Sequence, residues 1–139
     1  VQIAGSAMNW VMSAGVAPFV VRPPFVFRVV GKPDTTNLRM HFHRGELIFN
    51  WECNVRELRV HDPATAEQHE IKDKGFITTN EWHDIQWEIG LDRMRVIVDG
   101  EVRFDGAMHY LNGTRAMIQT NSGPHAGCSV ETVPLTTAF

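Results

Sequence analysis

Residues Trp82 to Gly100 read W-H-D-I-Q-W-E-I-G-L-D-R-M-R-V-I-V-D-G, and this stretch decides the fold class of the chain. Large apolar side chains recur there at every second position, in two sets of three: Ile85, Trp87 and Ile89, then Met94, Val96 and Val98. A period of two is typical of a strand with one buried face. The Asp-Gly pair that follows supplies a tight turn, because both residue types tolerate positive φ. The stretch therefore predicts two antiparallel strands and a hairpin into a third, Val102 to Phe104.

Short runs rich in β-forming residues occupy most of the remaining chain. We expect further strands at 9–13, 25–30, 38–44, 47–52, 56–61, 76–79, 115–120 and 128–133. The polar stretch 62–75 is expected to be a loop with one helical turn at 64–69. Many short strands without a long helix are typical of an all-β fold, an antiparallel β-sandwich or jelly roll. No repeat or shift of composition divides the chain, so residues 1–139 are predicted to form a single domain.

The composition is that of an ordinary globular domain, with 43% apolar and 21% charged residues. A formal net charge of −3 argues against a general nucleic-acid binder, which needs a basic surface to displace counterions. No apolar run is long enough to span a bilayer, since the longest candidate, Val16 to Val21, contains Pro18. Cys53 and Cys128 are the two cysteines; a disulfide between them stays open, and two buried free thiols are favoured.

The order of Trp-His, two alternating strands and a closing Asp-Gly resembles the late strands of the concanavalin A-like lectin and glucanase superfamily. The resemblance is strongest to its laminin-G-like and galectin-like members. It implies a jelly-roll sandwich in which the two ends of the chain pair in one sheet. On physical grounds Trp82 and Trp87 are expected to be core aromatics, because large aromatics on alternating strands are usually buried. Binding residues must therefore be sought elsewhere in the chain.

A cluster of polar side chains on three neighbouring predicted strands forms the candidate site. The candidate binding residues are Arg39, His41, His43, Asn50, Trp51, Glu52 and Arg59. Alternation places the first three on one face of a single strand, and the next two strands are expected to add their polar groups beside them. Planar donors and acceptors side by side suit the hydroxyl pairs of a sugar. The tryptophan would offer its ring to the apolar C–H face of the sugar if its strand bulges.

The resemblance to galectins extends to this cluster. In the galectin motif His, Asn and Arg alternate outward on one strand, Asn follows on the next, and a Trp and a Glu-x-Arg come after. His41 matches the family's His, and Asn50 matches the Asn of the next strand. The chain departs from the motif at His43, which replaces an Asn, and at Arg44, which comes one residue early. A Trp-Gly-x-Glu-x-Arg sequence is also missing, although Trp51 lies in the right region.

The predicted function is non-catalytic binding of a carbohydrate, with no cofactor and no metal. The galectin resemblance implies an extracellular or cell-surface protein, as a module of a larger chain. Edge strands of sandwiches often pair between copies, so a homodimer is one expected assembly. We expect neither a nucleic-acid partner nor a membrane span.

Two alternatives to carbohydrate binding stay open. The spacing of His41 and His43 puts two imidazoles on one side of a strand, which would suit a cupin-like metal site. A sandwich of this kind is also used as a structural or protein-interaction module. An enzyme is not predicted, because Asp84 and Glu88 share a strand face without the E-x-D-x-x-E spacing of the superfamily's glycosidases.

Overall fold

The chain folds as strands throughout the part that is described. The computed structural model describes residues 22–33, 37–62 and 64–107, together with the strands at 2–3, 15–16, 116–119 and 128–134. The described residues contain no helix that is long and apolar enough to cross a membrane. The strands of this described part are β1 (Gln2–Ile3), β2 (Gly15–Val16), β3 (Phe25–Gly31), β4 (Leu38–Phe42), β5 (Gly45–Phe49), β6 (Leu58–His61), β7 (Gln68–Ile71), β8 (His83–Ile89), β9 (Arg93–Val98), β10 (Glu101–Ala107), β11 (Ala116–Gln119) and β12 (Cys128–Pro134).

The strands form two antiparallel sheets. One has the order β1-β12-β3-β8-β9-β10, and the other has the order β2-β11-β4-β5-β6-β7. Because β1 pairs with β12, through Gln2 opposite Ser129, the two ends of the chain lie together in the first sheet, as the resemblance implied. The predicted all-β antiparallel sandwich is confirmed.

The stretch that decided the fold class forms the centre of the first sheet. Ile85 lies opposite Val98 in the pairing of β8 with β9. Asp99 and Gly100 have φ values of 50° and 82°, so they form the two-residue turn into β10. The predicted meander is confirmed, and β10 runs to Ala107, beyond the three residues expected of it.

The core lies between the sheets and takes its side chains from alternate positions of their strands. Trp87 of the first sheet is fully buried; its Nε1 donates to the sulfur of Met94 at 3.0 Å, and its ring stacks on that of Phe27. Phe42 of the second sheet meets Phe25 of the first edge to face, with ring centroids 4.9 Å apart. A buried aromatic contact of this kind fixes how the two sheets pack.

Three expectations from the sequence are wrong. Trp82 precedes β8 and is 58% exposed, so it is not a core aromatic. Cys53 is an exposed free thiol, in the loop after β5, whereas the side chain of Cys128 lies outside the described residues. The helical turn expected at 64–69 is replaced by a turn and the start of β7, because Asp62 Oδ1 accepts from the backbone N–H of Ala64 at 2.8 Å.

Strand β7 and the segment after it also differ from expectation. The sequence of β7 lacks the alternation of apolar and polar residues that predicts a strand. The strand lies at the edge of its sheet, and its side chains are exposed or half-buried. The strand expected at 76–79 does not form. The strand expected at 9–13 lies outside the described residues.

Acid should weaken the first sheet through one ion pair on its outer face. Arg28 of β3 donates from Nε and Nη2 to the two carboxylate oxygens of Asp84 at 2.8 and 2.9 Å. This hydrogen-bonded guanidinium holds the pKa of the Asp84 carboxyl below its ordinary value. Because the folded pKa is below the unfolded one, the ionised form contributes stability at neutral pH. That contribution is lost as the pH falls below about 4 and through the folded pKa.

We therefore expect Asp84→Asn to lower the free energy of unfolding at neutral pH and to flatten its fall towards acid. Urea unfolding at neutral pH and at about pH 3 measures both effects. Asp92→Asn, in the exposed turn after β8, is the matched control and should keep the acid sensitivity of the parent. Equal acid sensitivity in Asp84→Asn and the parent would contradict this account.

Candidate functional site

The outer side of the second sheet carries polar side chains on four strands. Alternation in β4 and β6 buries one side of each strand and leaves the other half-buried; on the outer side of β5, Glu46 is half-buried and Ile48, opposite Arg39 and Arg59, is 4% exposed. The register of the strand pairs determines which side chains are neighbours across the sheet. His41 lies opposite Glu46, and Arg59 lies opposite Ile48 on one side and Glu70 on the other. We call this surface the polar face; it comprises Arg39, His41, Glu46, Trp51, Glu52, Glu57, Arg59, His61, Gln68 and Glu70.

Glu46 is the centre of one half of the polar face. Its Oε1 accepts from Nη1 of Arg39 at 3.1 Å and lies 3.5 Å from Nε2 of His41. Its Oε2 lies 3.7 Å from Nδ1 of His61 on the next strand. The Glu46 side chain is only 16% exposed, so water screens these contacts less than it would on an open surface. One carboxylate therefore organises side chains from three adjacent strands.

Arg59 is the centre of the other half. Its Nε donates to Glu57 Oε1 at 3.0 Å, Nη1 to Gln68 Oε1 at 3.2 Å and Nη2 to Glu70 Oε1 at 3.4 Å. The guanidinium also lies over the indole of Trp51, 3.2 Å from the ring centroid. A cation over a tryptophan face is attracted by the ring quadrupole. Arg59 therefore fixes the tryptophan and the acceptors of the neighbouring strand in one arrangement.

The alternation expected beyond β5 is wrong by one residue. Asn50 has a left-handed backbone with φ of 49°, which ends β5 at Phe49 and changes which side of the sheet the next side chains face. Asn50 is consequently 3% exposed, whereas Trp51 is half-buried on the outer side. Glu52 is exposed and accepts from Asn37 Nδ2 at 3.0 Å. The sequence had placed Asn50 outward and Trp51 inward.

Asn50 joins two loops instead of lining the polar face. Its Nδ2 donates to the carbonyl of Ile77 at 2.8 Å, and its Oδ1 accepts from the N–H of Ile77 at 2.9 Å. Its own N–H donates to the carbonyl of Gly75 at 3.0 Å, and the N–H of Gly75 donates to Arg56 O at 2.9 Å. A Cβ on Gly75 would come within 2.2 Å of the Glu57 carbonyl carbon, so only glycine fits there. We call this packing of the β5–β6 and β7–β8 connections the loop clamp.

His43 does not continue the strand of His41. β4 ends at Phe42, and His43 lies in a two-residue turn with φ of 55°. Among the described residues, no hydrogen bond or ion pair joins it to the polar face. The two imidazoles that the cupin-like alternative requires therefore do not share one strand face. The described residues also contain no group of three or more His, Cys, Asp or Glu side chains arranged to hold a metal ion.

Five members of the polar face are not among the residues predicted from the sequence: Glu46, Glu57, His61, Gln68 and Glu70. The inward positions of Leu47 and Phe49 place Glu46 outward on β5. Alternation with the buried Val60 places His61 outward on β6 in the same way. Glu57 and Arg59 have the Glu-x-Arg spacing of the galectin motif, and this spacing is the sequence signal for the pair. Of the predicted residues, the structure brings together Arg39, His41, Trp51, Glu52 and Arg59.

The charged pair considered for an enzyme lies on the other sheet. Asp84 is held by Arg28, and Glu88 accepts from Nε of Arg95 at 2.6 Å. Both carboxylates are thus engaged by guanidiniums on the outer side of the first sheet. The polar face, by contrast, holds both hydrogen-bond donors and hydrogen-bond acceptors.

Comparison with known proteins gives structural matches only. By sequence, the chain matches no family model and no curated protein. A double-substitution variant of human galectin-16 matches with a TM-score of 0.68 and 12% identity, over 92% of this chain and 100% of that one. A toad ovary galectin in complex with thio-digalactose matches with a TM-score of 0.62 and 12% identity, over 94% and 98%. A homodimeric agglutinin from chicken liver matches with a TM-score of 0.63 and 10% identity, over 86% and 99%.

These matches cover 86–94% of this chain and 98–100% of the others, at an identity that shows the fold alone. The fold that the sequence led us to expect is confirmed. The chain therefore folds as an antiparallel β-sandwich similar to that of the galectins.

Proposed function

We propose that this chain binds a carbohydrate, without catalysis, through the polar face. The observation that carries the proposal is the joining of side chains from β4 to β7 into one hydrogen-bonded surface around Glu46 and Arg59. Sugar hydroxyls both donate and accept, so they need carboxylate, imidazole and guanidinium groups at fixed separations. Side chains held by one another lose less freedom on binding than mobile ones do.

A partly exposed aromatic ring completes the arrangement. Trp51 is half-buried, and the guanidinium of Arg59 covers one of its faces. The remaining exposed part of the indole is available to the apolar C–H face of a sugar ring. Polar groups beside an aromatic surface therefore favour a sugar over a purely polar or purely apolar ligand.

A galactoside is the first ligand to test, because the toad ovary galectin was solved with thio-digalactose. A glycan array finds the ligand, and titration calorimetry measures its affinity. We expect His41→Ala to weaken binding at least about tenfold, since the imidazole lies beside Glu46 at the centre of the polar face. Thermal unfolding of the variant should stay close to that of the parent.

His69→Ala is the matched control, because the ring of His69 packs near that of Phe104, 6.3 Å between centroids. It removes an imidazole from the same sheet without touching the polar face and should leave affinity unchanged. An array that stays silent at high protein concentration would contradict carbohydrate binding. That result would favour the alternative of a structural or protein-interaction sandwich.

We further propose that the protein works outside the cell or on its surface, as a homodimer that presents two polar faces. The agglutinin from chicken liver with the same fold is homodimeric. Two faces on one particle raise the apparent affinity for a surface that carries many glycans. Sedimentation at micromolar concentration tests this assembly, and a monomer at every concentration would contradict it.

A further inference from the structure

The polar face carries more carboxylates than guanidiniums. Among the residues that the structure describes, its two guanidiniums lie within 3.4 Å of four carboxylates in total. Two positive against four negative charges leave an excess of two negative charges while the histidines are neutral. These groups are Arg39 and Arg59, with Glu46, Glu52, Glu57 and Glu70.

The guanidiniums are also engaged by the chain's own acceptors. Arg39 donates from Nη1 to Glu46 and from Nη2 to Glu52, at 3.1 and 3.4 Å. All three nitrogens of Arg59 donate to side-chain oxygens of the face, and its plane lies against Trp51. A carboxylate or sulfate ester is best held by an open, two-pronged guanidinium. An acidic sugar would have to displace a carboxylate from one of these pairs.

From this arrangement we infer that the polar face selects uncharged glycans and rejects sialylated, uronic-acid and sulfated ones; the inference rests on the proposed carbohydrate binding. Hydroxyl groups of a neutral sugar donate to the surplus carboxylates, and that contact is favourable. An anionic sugar placed on the same surface meets like charge, and both guanidiniums that the structure describes there are already engaged by the chain's own acceptors. Electrostatic repulsion between the carboxylates of the polar face and an anionic sugar therefore gives the specificity for uncharged glycans.

Glu46 is the residue through which this selectivity is best tested. It lies on β5, one of the two middle strands of the face, and its side chain is 16% exposed, whereas those of Glu52 and Glu70 are 46% and 52% exposed; Glu57, at 12%, lies in the connection before β6. A charge held away from water acts on a nearby anion with less screening. Glu46→Gln keeps the size and the acceptor oxygen of the side chain while removing its charge.

The test is an array of neutral glycans, lactose among them, each printed beside its sialylated and its sulfated counterpart. For the parent protein we expect acidic forms to bind at least about tenfold more weakly at low salt, with a smaller difference at high salt. Glu46→Gln should reduce this difference at least about threefold. Glu81→Gln, which is exposed and outside the polar face, should leave the difference as it is.

Glu70→Gln is a second variant at the exposed edge of the face, and it should reduce the difference in the same direction if Glu46→Gln fails to fold. Equal binding of neutral and acidic forms by the parent would overturn the inference while leaving carbohydrate binding intact. Tighter binding of the acidic forms would overturn it as well. An array without any signal would instead overturn the proposed function, and this inference with it.

Discussion

Asn50→Ala is expected to lower the free energy of unfolding by about 3 kcal/mol. Asn50 is 3% exposed, and its amide satisfies both the N–H and the carbonyl of Ile77. In the alanine variant the N–H and the carbonyl of Ile77 stay buried and lose their hydrogen-bond partner. The free energy of unfolding then falls by the cost of desolvating both groups. Chemical unfolding in urea, with the slope checked for a two-state transition, measures the change.

Asn80→Ala is the matched control for this experiment. Asn80 has nearly the same left-handed backbone, with φ of 62° against 49°, but it is exposed. It therefore reports the cost of alanine at positive φ by itself, which is about 1 kcal/mol. A loss no larger in Asn50→Ala than in Asn80→Ala would show that the loop clamp does not stabilise the fold.

The sheets could be predicted because their apolar residues alternate without interruption. In β8 and β9 every inward position except that of His83 is large and apolar, and Asp99-Gly100 is a turn sequence that leaves little choice of connection. β7 could not be predicted in this way. Its inward positions, His69 and Ile71, are only partly buried at the edge of the sheet, so its backbone pairing with β6 determines the strand.

The site was predicted where alternation holds and was wrong where it breaks. Arg39 and His41 lie on one face of an unbroken strand, and the structure places them as expected. His43 and Asn50 have left-handed backbones and directly follow β4 and β5. The two strands therefore end before them, and their side chains do not lie on the polar face. Sequence gives little warning of this, because His and Asn adopt positive φ without any neighbouring glycine or proline.

The largest loss of binding is expected on replacing Arg59. Its guanidinium holds Glu57, Gln68 and Glu70 in place and covers one face of Trp51, so its removal loosens all of these groups at once, although the three polar ones each keep at least one other hydrogen bond. Each loosened side chain must then be immobilised again when a ligand binds, which costs affinity. Without the guanidinium that both of them contact, the carboxylates of Glu57 and Glu70 also repel each other.

We expect Arg59→Met to lower glycan affinity at least about a hundredfold, while Arg59→Lys recovers part of the loss. Lysine restores the charge but cannot donate in three fixed directions, so partial recovery separates charge from geometry. Arg56→Met is the matched control, since Arg56 is paired with Asp73 and lies outside the polar face. Calorimetric titration with the best array ligand gives the affinities, and unfolding in urea confirms that each variant is folded. Full affinity in Arg59→Met would mean that the sugar binds elsewhere, because no sugar on the polar face could be indifferent to the residue that organises half of it.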